Sequence, residues 1–438
     1  MKIYRLWLLT LVCKLVLALF LPLSSDESYY WVWSQHLRLS YYDHPPTIAY
    51  LIALGNLLGD WNQILRFPTV LLGHLTILVW FEILKPYLDE KKQIPWFWLM
   101  VLNPLAGWGS ILALPDTPAL FFWSLSLLCG VRWVETKKYS WAFAFGSALG
   151  LGFLSKYHIV LIVPPLLAWF LYEKKWQGIP FGQYMAIIVS GLFFCLPVLL
   201  WNYQNDFISF KFQLQHGLGA KKYHFEWTLT YVLSQIGLLF PTTLYFLFKK
   251  NPKPQLSWMA YVGWFPILFF FFSSFKGRAE GNWPILAYPT LYSLAVIQAN
   301  QIKWAKGTAI TWAVCLALVL SEVFFRWVPI QKDGFKTSEF YRYDGWIPIY
   351  EKYQPFYAST FQMASTLSYK LKRPVYKMAG VGRKDFYDFL PEAKGPNQKF
   401  YLAAHIWDNF LGTTVDNYNM TNIIRLEEPM VLMELTPK

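Results

Sequence analysis

Charge is what this sequence has least of. Of its 438 residues only 15% are Asp, Glu, Lys or Arg, against about 25% in ordinary soluble domains. In their place stand 55% hydrophobic and 20% aromatic residues. Apolar runs recur from position 6 to 325, each close to the roughly 20 residues that cross a bilayer. A soluble enzyme is therefore excluded. Cysteine is scarce too: Cys13, Cys129, Cys195 and Cys315 all lie in apolar runs. None has metal-ligand spacing, which predicts neither disulfides nor thiol chemistry. The first run, 6–23, follows Lys2 and Arg5 and lacks a small-x-small cleavage site, so an uncleaved first span is expected. Internal repeats and low-complexity tracts are also absent.

Hydropathy places spans near 6–23, 67–84, 94–113, 117–134, 140–154, 157–172, 182–200, 228–248, 256–274, 283–299 and 305–325. With Lys2 and Arg5 in the cytoplasm, every second loop is basic. These loops carry Lys85, Lys91 and Lys92; Arg132, Lys137 and Lys138; Lys174 and Lys175; Lys249, Lys250 and Lys253; Lys303 and Lys306. That is the positive-inside pattern. It accounts for the net charge of +13 without nucleic acid as a partner. The topology depends on 46–59, an apolar stretch of about 14 residues, or roughly 21 Å as a helix. It is too short to cross and reads as an interfacial or re-entrant helix in a long first outer loop, 24–66. The aromatics Tyr29, Tyr30, Trp31, Trp33, Tyr41 and Tyr42 suit an interface.

After Phe325 charges become frequent. Strand-like runs at 375–378, 399–403 and 431–435 alternate with helix-like ones at 357–371 and 384–390. The expected fold is a polytopic all-α membrane protein of about 11 transmembrane helices, residues 1–326. It carries a small C-terminal α/β extracytoplasmic domain, residues 327–438.

The ionisable residues of the outer loops bear the chemistry, because a charge beside a bilayer is expensive unless used. Asp26-Glu27 follows the first span within Ser-Ser-Asp-Glu-Ser. Ser24, Ser25 and Asp26 all suit helix capping, and a carboxylate there also suits a general base toward an acceptor hydroxyl or amine. Asp43-His44 is held by Pro45-Pro46 at a rigid corner. Arg66 can snorkel or grip a phosphate. Asp116 before Thr117-Pro118 is good capping chemistry. Lys156 sits in a tight turn, as a snorkelling cation or a phosphate ligand. Lys14 is the one clear mid-span cation, and snorkelling explains it. His216 shares the outer side with Asp43 and Asp116. Two carboxylates and an imidazole can ligate a divalent ion, although a lone loop histidine is more often merely solvated. Lys276-Gly277-Arg278-Ala279-Glu280 offers a guanidinium fork between glycines, or only a charged turn.

As a set these residues resemble the GT-C superfamily of polytopic glycosyltransferases. The nearest group is dolichyl-phosphate-mannose–protein mannosyltransferase-like, with bacterial relatives including the lipid A aminoarabinose transferase. The matching pieces run in family order. They are Asp26-Glu27, Tyr42-Asp43-His44-Pro45-Pro46, Leu65-Arg66-Phe67-Pro68, Asp116-Thr117-Pro118, Ser155-Lys156-Tyr157 and Asn282-Trp283-Pro284. About eleven spans are fewer than such relatives commonly have, and His216 matches by position rather than motif. The resemblance implies an inverting transferase that moves a sugar from a polyprenyl-phosphate donor to a glycan, lipid or protein acceptor. The setting would be the outer face of the inner membrane. It makes Asp26 the catalytic carboxylate with Glu27 beside it. His44, Arg66, Lys156, Lys276 and Arg278 become donor-phosphate contacts. Asp43, Asp116 and His216 stand where some relatives bind one divalent metal ion. A transporter or flippase of lipid-linked sugars is the rival. It predicts polar groups at mid-membrane, broken helices and repeat symmetry.

Overall fold

The computed structural model describes residues 2–218, 222–249, 252–328, 339–406, 418–426 and 429–438, with the side chains of 216–218 outside the description. A helix stands at each of the eleven expected segments. In order the helices are α1 (Lys2–Phe20), α2 (Ser25–Gln35), α3 (Thr47–Asn56), α4 (Phe67–Leu84), α5 (Glu90–Leu102), α6 (Asp116–Thr136), α7 (Tyr139–Phe153), α8 (Val163–Tyr172) and α9 (Phe181–Gln204). Then come α10 (Ile208–Leu218), α11 (Phe225–Leu239), α12 (Pro241–Lys249), α13 (Ser257–Ser273), α14 (Tyr288–Gln298), α15 (Lys303–Phe325), α16 (Ile347–Lys352) and α17 (Phe361–Leu371).

Eleven crossings are not established by these helices. Among the described residues six are long and apolar enough, or seven if α11 and α12 form one span bent by 85°. The shortfall has local causes. α5 stops at Asn103, whose side-chain oxygen accepts from the amides of Leu105 (3.1 Å) and Ala106 (2.7 Å) and turns the chain. α11 ends at Phe240, with φ at +66°, and Pro241 then starts a new helix. α8 follows a 3-10 stretch, Tyr157–Ile162, and opens with proline. α3 has 10 residues, about 15 Å, so it does not cross, as the short 46–59 stretch implied.

The chain forms two compact units. The first is Met1–Phe20 with Arg38–Leu320; the second is Leu21–Leu37 with Ser321–Lys438. The sequence boundary at 326 therefore misses one grouping: α2 clusters with the C-terminal residues. In the first unit, buried indoles are tied by hydrogen bonds. Trp80 donates to Ser124 at 2.8 Å, Trp96 to Ser293 at 3.0 Å and Trp133 to Gln183 at 2.7 Å. Lipid offers apolar side chains much the same surroundings as a neighbouring helix, so close packing and such polar contacts hold membrane helices together. Glycine supplies the closest approach. A Cβ on Gly146 of α7 would lie 2.2 Å from the Ile187 carbonyl oxygen of α9.

The second unit holds a five-stranded sheet, order β2-β1-β3-β5-β4. Its strands are β1 (Phe356–Ala358), β2 (Tyr376–Lys377), β3 (Phe400–His405), β4 (Tyr418–Arg425) and β5 (Met430–Pro437). β1 pairs in parallel with β2 and β3; β5 runs antiparallel to β3 and β4. The helix read at 357–371 splits into β1 and α17, because Thr360 caps a new helix through the Met363 amide. The helix-like run at 384–390 is a 3-10 turn, Phe386–Phe389. β4 lacked a sequence signal because it is a polar, mostly exposed edge strand.

Gly146→Val should destabilise the protein by about 1–3 kcal/mol or more, since a backbone oxygen cannot move aside as a side chain can. Thermal unfolding in detergent checks this. An unchanged midpoint would mean that α7 and α9 are not held at this distance.

Candidate active site

In the first unit four motif pieces meet around one ion pair. Asp116 opens α6, where a carboxylate favours the helix dipole. Lys156 precedes the Tyr157–Ile162 turn in extended conformation. Its ammonium meets Asp116 Oδ1 at 2.8 Å, with the two side chains only 8% and 14% exposed. The Lys156 backbone amide is anchored to the Gly152 carbonyl at 2.9 Å. Thr47 then ties in the Asp43–Pro46 corner: its amide (3.2 Å) and hydroxyl (2.8 Å) both donate to the Leu154 carbonyl. Gln213 donates to the Asp43 carbonyl. Two residues beyond Lys156, the His158 ring lies 5.1 Å from Phe270 and 6.0 Å from Trp283. This brings the Asn282-Trp283-Pro284 motif to the same turn. Asp43 is buried and His44 half-buried.

Other candidates make contacts of their own. Arg66 is fully buried and donates to the Ala18 carbonyl at 2.9 Å, so it does not snorkel. Lys276 and Arg278 are exposed, and Arg278 pairs with Glu280 at 3.2 Å. Lys14 does not snorkel either. It is buried and donates to the Gly107 carbonyl (2.7 Å) and the Ser110 hydroxyl (3.3 Å). No single-residue pattern in the sequence distinguishes that contact from a lipid-facing lysine.

A metal does not fit the described donors. Among the described residues no group of three His, Cys, Asp or Glu is arranged to hold an ion. Asp116 already meets the Lys156 ammonium, which would repel a second cation. His216 lies in α10 with its side chain outside the description.

Asp26 and Glu27 belong to the second unit. Ser24 and Glu27 form a capping box: the Glu27 amide donates to the Ser24 hydroxyl at 3.2 Å, and the Ser24 amide to the Glu27 carboxylate at 3.0 Å. Glu27 is fully buried in this role, whereas Asp26 is exposed. The same unit contains a charged cluster that sequence reading missed. The Lys377 ammonium meets Asp385 at 2.9 Å and Asp388 at 3.0 Å. Burial pushes the Asp385 carboxyl up to about 6, against the pull of Lys377.

The family model described as dolichyl-phosphate-mannose-protein mannosyltransferase matches residues 43–201. The lipid A galacturonosyltransferase RgtD of Rhizobium johnstonii is 24% identical over 304 residues, 66% of this chain and 63% of that protein. The undecaprenyl phosphate-alpha-4-amino-4-deoxy-L-arabinose arabinosyl transferase 2 of Pseudomonas fluorescens is 24% identical over 370 residues, 72% of this chain and 64% of that one. The chain thus spans a little under two thirds of the length of these relatives. Among solved structures, ArnT from Cupriavidus metallidurans bound to undecaprenyl phosphate superposes with a TM-score of 0.69 at 14% identity. The match covers 98% of this chain and 97% of that one. The resemblance read from the motifs is borne out, and the fold is that of ArnT.

Lys156→Met strands a buried carboxylate and should cost about 3–5 kcal/mol in stability. Adding Asp116→Asn should recover most of it. Denaturation of the single and double variants reads the difference. A single variant as stable as the wild type would remove Lys156 as the partner of Asp116.

Proposed function

We propose that the chain is an inverting glycosyltransferase of the inner membrane. It moves a sugar from a polyprenyl-phosphate carrier to an acceptor on the extracytoplasmic face. The observation that carries this reading is the convergence of the Asp43–Pro46 corner, the Asp116 helix start and the Asn282-Trp283-Pro284 turn on the segment around Lys156. The names of the relatives favour an undecaprenyl-phosphate-linked aminoarabinose or a galacturonic acid donor, and lipid A as acceptor.

The chemistry asks for little. A phosphate leaves as an anion and needs no general acid, unlike the alcohol of a glycoside. One base at the acceptor and positive charge at the phosphate suffice. Asp26, exposed at the start of α2, is the base. Glu27 fixes the helix start through the capping box. Lys156 has two N–H donors beyond the one given to Asp116, and these serve the phosphate. His44, Lys276 and Arg278 are the further cations. The C-terminal residues 327–438 form an extracytoplasmic domain.

The bent pair α11–α12 and the buried Lys14 are what a lipid-linked-sugar transporter would also contain. Product analysis separates the two: a transferase leaves free undecaprenyl phosphate and a modified acceptor, whereas a transporter leaves the donor intact.

Asp26→Asn should lower transfer by roughly 100- to 10,000-fold while expression and donor binding survive, because Ser24 and Glu27 form the cap of α2 and Asp26 is exposed. Transfer at near wild-type rate would remove Asp26 as the base. The topology has its own check, in a background without the four native cysteines. Single cysteines at 60 and 276 should react with an impermeant reagent from outside, and those at 138 and 174 only after permeabilisation. Labelling of 60 and 276 from opposite sides would overturn the assignment of faces.

A further inference from the structure

The helix that bears Asp26 is gripped by the C-terminal residues of its own unit. α2 packs along α17. The Tyr29 ring is buried 4.4 Å from Phe361 and stacks toward Tyr387 at 6.4 Å. Trp31 lies 5.2 Å from Tyr369, with the Lys372 ammonium 5.5 Å above it. The Ser25 hydroxyl donates to the Glu339 carboxylate. One contact is directional and fully buried: the Phe386 amide donates to the Tyr29 hydroxyl at 2.8 Å.

Phe386 begins the Phe386–Phe389 turn, so its amide has no acceptor within that turn. The turn owes its shape to the charged cluster. Asp385 accepts from the Tyr387 amide at 2.9 Å, and Asp388 accepts from the Asp385 amide at 2.8 Å and from Gly380 at 2.7 Å. Lys377 holds both carboxylates and also donates to the Arg383 carbonyl at 2.8 Å. The Lys377 and Asp385 side chains are 1% and 0% exposed. Buried ions of this kind contribute little net stability, and fixing one geometry is among their attested uses. What this cluster fixes is the direction of one amide, and that amide meets a residue three positions from Asp26, less than one helical turn.

We propose that Tyr29 and the Lys377–Asp385–Asp388 cluster are positioning residues that set the rotation and depth of α2, and through it the place of the Asp26 carboxylate. The C-terminal residues then serve the base itself, besides any part in acceptor choice. This rests on the assignment of Asp26 as base.

The test uses the full chain in detergent. Tyr29→Phe removes one hydroxyl and keeps the ring. Hydrogen–deuterium exchange should quicken about tenfold or more in the peptide 24–36 and at Phe386, with the thermal midpoint little changed. This arm needs no substrate. Turnover of undecaprenyl phosphate-alpha-4-amino-4-deoxy-L-arabinose on lipid A should lose about 10- to 100-fold in kcat at unchanged donor KM, the scale of a misplacement of up to 1 Å. A charge-neutral cluster variant, Lys377→Met with Asp385→Asn and Asp388→Asn, should reproduce both effects. If it fails to fold, Tyr29→Phe alone decides. Unchanged exchange in Tyr29→Phe overturns the proposal, as does a raised KM with kcat intact. Wild-type kcat in Tyr29→Phe beside an inactive Asp26→Asn overturns the positioning but leaves the base. An active Asp26→Asn removes both.

Discussion

A charge removed from water must be met by an opposite charge or by hydrogen bonds, and this chain repeatedly builds its local geometry around that demand. The unmet cost in real proteins is several kcal/mol per ion. It exceeds any single packing contact, so the partner is brought to the charge. Lys156 draws the start of α6 to the turn after α7. Arg66 reaches into α1 for the Ala18 carbonyl, and Lys14 reaches from α1 to the turn at Gly107. In the second unit Lys377 gathers two carboxylates and the Arg383 carbonyl. Helices with little amphipathic bias are thereby given specific neighbours, which apolar contact in a lipid setting cannot specify.

The reaction proposed for this framework suits its economy. A transferase with a phosphate leaving group needs one carboxylate that stays ionised and several cations, and little else. Elsewhere in the first unit, aromatic and aliphatic side chains fill the space between helices. That is why so large a protein carries so few charges.

What the sequence made legible follows from signal strength. α4 is found at Phe67–Leu84, where hydropathy put it, and α6 and α15 lie within two residues of their expected bounds. Long apolar runs flanked by basic residues are strong patterns. That a capped helix starts after the first span was readable because capping is local chemistry, although the reciprocal Ser24–Glu27 box was not singled out. The breaks were harder: Asn103 ends α5 through a turn that apolar periodicity does not register. Motif order put Asp43, Asp116 and Lys156 on one list, but the carbonyl of Leu154 that joins two of those pieces is a backbone atom and leaves no trace in residue identity. Lys377 and Asp385 resembled ordinary surface charges for the same reason. The turn beside Asp385 meets Tyr29 of α2 and Ser365 of α17, both distant in sequence.

The pairing of α2 with residues far along the chain has a consequence for biogenesis. Tyr29 and Phe386 are 357 positions apart, and the ribosome adds about 5–20 residues per second. The helix bearing Asp26 therefore leaves the ribosome roughly 20–70 s before its partner exists. During that interval its capping box can form but its contacts to α17 and Phe386 cannot. Contacts of such sequence separation also form late, because the intervening loop must be closed first. The Asp26 carboxylate is thus synthesised early, and the contacts of its helix to α17 and Phe386 are completed late.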